Sequence, residues 1–282
     1  MSVIDNSAII FAIGALVLNG VYELLYRFAH QKGMNENSYM LIQTGSVFVC
    51  LLLLSAGGIG FDLNVPLFFL GIFSGIIGVI TGWSYLYAMG RGPLAVTSAI
   101  RKLGFIVTAL LAVLFLHEEL SAQRLVALCV ACVALMVMGW SSQAAHRPHP
   151  MVFVTLFSAG LMTFLHKVVA VSGVSVTAFL MVQAATAHLS SHVLCMKRDG
   201  YQISRRIFGF ALLSGVIIAT MMTLGMYALK HGDAVVIAPI LQLGFLVTAP
   251  FSFLFFRETI TWQKVFGIVV GAIAIVLFAR GS

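Results

Sequence analysis

The chain has 282 residues, 61% of them hydrophobic and 9% charged, with a mean hydropathy of +1.06 and a formal net charge of +7. Soluble domains carry about a quarter charged residues, so this composition excludes a water-soluble enzyme or binding module. The positive charge argues against nucleic acid as a partner too, because the basic residues stand singly or in pairs, mostly at the ends of apolar runs, with no basic stripe interleaved with aromatics.

A hydrocarbon core about 30 Å thick needs roughly 20 apolar residues per helix. Ten spans are expected on that basis, at 7–28, 39–56, 66–89, 94–116, 124–140, 151–171, 174–194, 208–229, 234–256 and 262–279. The first follows Met1 to Ser7 without a basic leader or cleavage site and reads as a retained helix. It carries a polar stripe, Asn19, Tyr22, Glu23, Tyr26 and Arg27, at helical spacing, and a single polar face in a membrane helix turns to the protein interior or a wet cavity. Glu23 could bind an amine, take a proton that couples transport, or pair with Arg27 four residues on. The second span holds Gln43, an amide that needs a partner. Trp83 and Tyr87 near the end of the third could wall a substrate site or anchor the helix at the membrane interface.

The fourth span places Arg101 and Lys102 deep in an apolar run, where ionisable groups are expensive and therefore functional candidates. Arg101 shares a helix face with Thr97, Gly104 and Thr108. Arginine can hold a carboxylate or phosphate through two parallel hydrogen bonds, while lysine offers a point charge. The two read as an anion-recognising pair, or else one of them neutralises Glu23. Cys129 and Cys132 in the fifth span lack His or carboxylate neighbours and read as small packing residues. His166 in the sixth span, and His188 and His192 four apart in the seventh, suit structural or proton-relay roles better than metal binding. Glu23 and His188 are the candidates for proton coupling. Tyr227 closes the eighth span, Gln242 lies in the ninth, and Gly267 and Gly271 in the tenth suit close packing within the chain or in a homodimer.

The second half repeats the first at a constant offset of 140 residues. Tyr87 matches Tyr227, Leu103-Gly104-Phe105 matches Leu243-Gly244-Phe245, and Glu118 matches Glu258. Gly20 matches Gly160, Arg27 matches Lys167, Gln43 matches Gln183, and Ser74-Gly75 matches Ser214-Gly215. Arg101 and Lys102 match Leu241 and Gln242, so the charge sits on one side of the pseudo-symmetric centre. The division falls into residues 1–140, with spans one to five, and 141–282, with spans six to ten. Five spans per half make the second half enter the membrane from the opposite side, which is the inverted-repeat architecture of secondary transporters. Ten loop Lys and Arg residues lie on one side and four on the side of the termini, which places the termini outside the cytoplasm.

Phe115-Leu-His-Glu-Glu-Leu-Ser-Ala-Gln123 and Phe255-Phe-Arg-Glu-Thr-Ile-Thr-Trp-Gln263 each close one span and open the next, and Gly267-Ile-Val-Val-Gly271 follows the second. This pattern resembles the EamA family of the drug/metabolite transporter superfamily, although Ala127 and Ala131 replace the glycines in the first half. The resemblance implies an all-α integral membrane protein of ten helices, with a central cavity lined by the first four spans of each half. It makes Glu118 and Glu258 structural carboxylates at helix ends. The related small multidrug resistance proteins carry a carboxylate on their first helix, but Asn19 falls at that position here.

The expected function is secondary transport of a small polar metabolite, an amino acid or organic anion, across a plasma or bacterial inner membrane by alternating access. Substrate binding falls to Arg101, Lys102, Glu23, Asn19, Tyr22, Trp83, Tyr87 and Gln242. No cofactor or metal is expected, and the partners are the substrate and the bilayer. The rivals are export of hydrophobic or quaternary cations, which would rest on Glu23, and an intramembrane enzyme, for which no nucleophile and base are paired in the sequence.

Overall fold

The computed structural model describes residues 6–56, 64–89, 91, 94–139, 149–198, 200–256 and 261–280. These form α1 (Asn6–Gln31), α2 (Glu36–Ala56), α3 (Val65–Met89), α4 (Leu94–Lys102), α5 (Gly104–Leu116) and α6 (Ala122–Gly139). The second half supplies α7 (Met151–Val171), α8 (Val176–Arg198), α9 (Arg205–His231), α10 (Ala234–Gln242), α11 (Phe245–Phe256) and α12 (Trp262–Arg280). Nine of the described segments are long and apolar enough to span a membrane, and α6 is a shorter apolar helix that makes the tenth. Their outer faces carry large apolar side chains in the open, such as Leu254 at 74% and Leu53 at 67% exposure. Such a surface is stable only against lipid tails. The chain is an all-helical integral membrane protein of two inverted repeats.

The fourth and ninth spans, expected as continuous helices, are each broken in the middle. At Leu103 the backbone tightens, its N–H shared between Ala99 O at 3.3 Å and Ile100 O at 3.1 Å, while the Ile106 N–H reaches Leu103 O at 3.0 Å. Leu243, its repeat mate, tightens too: its N–H reaches Ile240 O at 3.1 Å and the Leu246 N–H reaches Leu243 O at 2.9 Å. Such three-residue hydrogen bonds disturb the four-residue ladder and leave carbonyls that other groups can satisfy. The break falls between Thr97 and Arg101 on α4 and Gly104 and Thr108 on α5.

The halves interlock instead of standing side by side. α1 packs along α9 as α7 packs along α3; α2 packs on α9 as α8 packs on α3; α2 meets α8 and α6 meets α12. Without a hydrophobic force between helices in lipid, small residues that admit close backbones hold such contacts. A Cβ on Gly20 would meet Val247 Cβ at 2.5 Å, and one on Gly160 would meet the equivalent Val107 Cβ at 2.6 Å. Thr108 donates to Gly160 O at 2.9 Å and Thr248 to Gly20 O at 3.3 Å, the same bond in each half. Gly75 and Gly215 repeat the device against the backbone oxygens of Gln183 and Gln43, at 2.7 and 2.6 Å. Gly267 and Gly271 of α12 are buried inside the chain, Gly271 against Phe245 and Leu246.

At the end of the bundle nearest the chain termini, a cluster of charges seals the α9–α10 connection. Glu118 accepts from the N–H groups of Ala234 and Val235, each at 2.9 Å. Lys167 lies 3.2 Å from Glu118 and donates to Leu229 O at 3.0 Å and Gly232 O at 2.7 Å. One carboxylate therefore caps the start of α10 while its ammonium partner caps the end of α9, each where the helix dipole favours that sign. Arg124 pairs with Asp233 at 2.8 Å beside them. Glu118 thus stands at the start of α10 as an acceptor for its first N–H groups. Glu258 lies outside the described residues.

Candidate central binding site

A cavity of about 180 Å³ lies among α1, α2, α3, α4, α7, α8 and α9. From α1 it takes Asn19, Tyr22 and Tyr26, and from α3 Gly78, Val79, Thr81, Gly82, Tyr85 and Leu86. These recur at helical intervals and so occupy one stripe of each helix. Trp83 and Tyr87 fall off that stripe, roughly 100° and 200° round from Gly82 and Tyr85 at 100° per residue. They form a separate ladder at the end of α3: Trp83 and Tyr87 have ring centroids 5.1 Å apart, Arg198 sits 4.5 Å from the Trp83 ring, and Arg91 sits 3.6 Å from the Tyr87 ring. Stacked aromatics and guanidinium groups at a helix end have the character of a membrane-interface belt.

The two adjacent cations of α4 diverge. Lys102, 2% exposed, reaches Glu23 at 2.8 Å from Oε1 and 3.1 Å from Oε2, and Thr248 donates to Oε2 at 3.0 Å. Glu23 is thereby neutralised and takes no place among the cavity-lining residues, and neither does Lys102. Arg101 does line the cavity. Its Cζ sits 4.7 Å from the Tyr85 ring centroid, and its Nε and Nη1 are buried with no hydrogen-bond partner among the described residues. A buried guanidinium with idle donors is costly, and a bound anion would relieve that cost.

Of the remaining polar groups of the wall, the Tyr26 hydroxyl is buried without a hydrogen-bond partner among the described residues, and the amides and threonines are engaged with the protein. Asn19 donates to Leu241 O at 2.9 Å, satisfying a carbonyl next to the break between α10 and α11. Gln43 donates to Ser214 at 2.8 Å, and Gln183 pairs with His166 at 2.9 Å. Thr81 bonds Ser158 at 2.8 Å, tying α3 to α7. His188 lies 3.4 Å from the Thr44 hydroxyl at the cavity's edge, whereas His192 faces Tyr201 at 3.2 Å. Gln242 closes α10 half-buried, beside the break and away from the cavity lining.

The structure therefore brings Arg101, Asn19 and Tyr22 together at the cavity and leaves Lys102, Glu23, Trp83, Tyr87 and Gln242 outside its lining. It adds Tyr26, Tyr85, Gln43 and Gln183, and a soft wall of Met40, Met162, Met221 and Met222. The methionines carry no sequence signal, since the flanking residues are equally apolar. Tyr85 could have been found from its seven-residue spacing to Gly78, on the face that carries Gly82.

Comparison with known proteins agrees with this architecture. One solved crystal structure superposes with a TM-score of 0.77, covering 98% of this chain and 99% of that one at 13% sequence identity, a likeness of fold. An uncharacterized protein of Methanocaldococcus jannaschii is 33% identical over 75 residues, which are 27% of this chain and 55% of that protein, so the match spans about half the relative's length. The EamA-like transporter family matches residues 6–140 and again residues 148–280. With nearly the whole chain covered by two copies of that unit, the protein belongs to the EamA-like transporter family.

Proposed function

We propose that this membrane transporter is a secondary carrier of a small organic anion or amino acid, moving it across a plasma or bacterial inner membrane by alternating access around the central cavity. The observation that carries the reading is Arg101: a guanidinium with buried, unpartnered donors on the wall of a cavity between the two repeats. Inverted-repeat transporters bind substrate in that position, near the bilayer midplane. At the end of the bundle nearest the termini, Glu118, Lys167, Arg124 and Asp233 tie the α9–α10 connection through ion pairs. The cavity takes residues from both repeats, those of α1 and α3 toward the opposite end and those of α8 and α9 at mid-helix or toward the termini. A site so placed between the repeats suits a rocking cycle, in which swapping the conformations of the two repeats would change the side from which it is reached. Export of cations is disfavoured because Glu23 already holds Lys102.

The test is counterflow in proteoliposomes with a panel of labelled organic acids, amino acids and quaternary amines. Saturable flux of acids or amino acids that falls about a hundredfold in kcat/KM in Arg101→Gln, as expected on losing a charged bidentate contact, supports the proposal. Saturable flux of amines that depends on Glu23 and ignores Arg101 overturns it.

A further inference from the structure

Resting on the reading of Arg101 as the substrate anchor, we infer that the cavity selects an apolar-tailed monocarboxylate and discriminates against the amino acid of the same skeleton. Three observations lead there. First, the wall offers a positive charge and no negative one. No Asp or Glu is among the lining residues, and the nearest candidate, Glu23, is taken by Lys102 at 2.8 Å. An ammonium carried in with a zwitterion would be desolvated without a counter-charge, which is expensive at this depth. Second, the neutral polar side chains are already engaged: Asn19 with Leu241 O, Gln43 with Ser214, Thr44 with Met40 O, Thr81 with Ser158 and Gln183 with His166. A sugar or nucleoside, which needs several free partners, finds few. Among the described lining residues the buried polar groups without a partner are the Arg101 guanidinium, at Nε and Nη1, and the hydroxyl of Tyr26, whose ring lies 6.4 Å from that of Tyr85, the ring beneath Arg101. Both can donate, and a carboxylate takes donors. Third, the rest of the wall is soft and apolar. Met40, Met162, Met221 and Met222 supply thioethers that adapt to aliphatic and aromatic shapes alike. One anionic head and one apolar tail match this distribution, and a dicarboxylate would bury its second charge against methionine.

The experiment is equilibrium binding to the full chain in nanodiscs at neutral pH, with two matched series. The first is isocaproate, leucine and isoamylamine; the second is hydrocinnamate, phenylalanine and phenethylamine; succinate serves as the tailless dianion. The expected result is that each acid binds about tenfold or more tighter than its amino acid, as an unpaired ammonium requires. The amines and succinate bind weakest, and Arg101→Gln loses the acids while Arg101→Lys keeps part of the affinity. Leucine or phenylalanine binding as tightly as its acid, with dependence on Arg101, overturns the selectivity while leaving the anchor in place. Acid binding indifferent to Arg101→Gln, or no binding by any of the seven compounds, overturns the anchor and the selectivity together. The wild-type ranking stands without any variant, so a poorly folding Arg101→Gln does not remove the test.

Discussion

Replacing Lys102 by methionine tests how the two cations of α4 divide their work. The ammonium is 2.8 and 3.1 Å from the Glu23 oxygens, at 2% and 11% side-chain exposure for the pair. With an effective dielectric constant of about 20 the attraction at that separation is on the order of 6 kcal/mol, much of it offset by desolvation of both ions. Removing one ion leaves the other buried and unpaired, so Lys102→Met and Glu23→Gln should each destabilise by about 3–5 kcal/mol. The double variant leaves an amide that Thr248 can still reach, and it should lie within about 1 kcal/mol of wild type, because exchanging a whole buried pair is often near neutral. The coupling of about 3 kcal/mol or more is read from a double-mutant cycle of reversible unfolding in mixed detergent. Substrate binding supplies a second readout. In Lys102→Met the carboxylate of Glu23, the residue after cavity-lining Tyr22, loses its counter-charge and becomes a competitor for the Arg101 guanidinium. Isocaproate affinity should therefore fall about tenfold or more, since a charged hydrogen bond is diverted. Affinity should return in the double variant, where no carboxylate remains to compete. Additive single effects would mean that the ion pair contributes nothing in the membrane. Unchanged affinity in Lys102→Met would refute the idea that Lys102 keeps Arg101 available.

Three further outcomes are expected. Glu118→Gln keeps an acceptor for only one of the N–H groups of Ala234 and Val235, which bond different carboxylate oxygens, and loses the charge facing Lys167, so it should destabilise by about 2–4 kcal/mol in the same unfolding assay; Glu118→Asp, which keeps both acceptors and the charge but shortens the reach, should fall between it and wild type. Gly20→Ala and Gly160→Ala each drive a methyl group into a valine Cβ of the other repeat, and should destabilise by a similar amount, about 1–3 kcal/mol or more; a large difference between them would deny that the contacts are equivalent. Arg91→Gln removes the cation 3.6 Å from the Tyr87 ring, and should change stability by no more than about 1 kcal/mol with acid binding unaltered; a loss of binding would bring the Trp83–Tyr87 ladder into the substrate path.

Much of the architecture was legible in the residues because the duplication records it. The 140-residue offset pairs Gly20 with Gly160 and Leu103 with Leu243, and these pairs hold equivalent contacts and equivalent helix breaks in the structure. Composition and run length were enough for the membrane class, since only lipid tolerates such a surface. The carboxylate of Glu118 at a helix end was legible as well, because a motif recurring at each repeat's fourth turn points to structure common to both halves.

The site itself was only partly readable, for a physical reason. In a soluble helix, alternation of polar and apolar residues marks the buried face; in a membrane helix lipid and protein interior are equally apolar, and that mark is absent. Arg101 and Lys102 are neighbours about 100° apart on one helix, and nothing in their order says which meets Glu23 and which meets the cavity. That choice depends on where α1 stands against α4 once the fourth span has broken at Leu103. Likewise the setting of α3 puts Tyr85 on the cavity wall and Trp83 and Tyr87 against Arg198 and Arg91. By itself the sequence determined the repeats, the membrane and the list of costly charged residues; the tertiary structure alone decided which charges cancel one another and which is left for a ligand, because that balance is set by distances of a few ångströms between helices far apart in the chain.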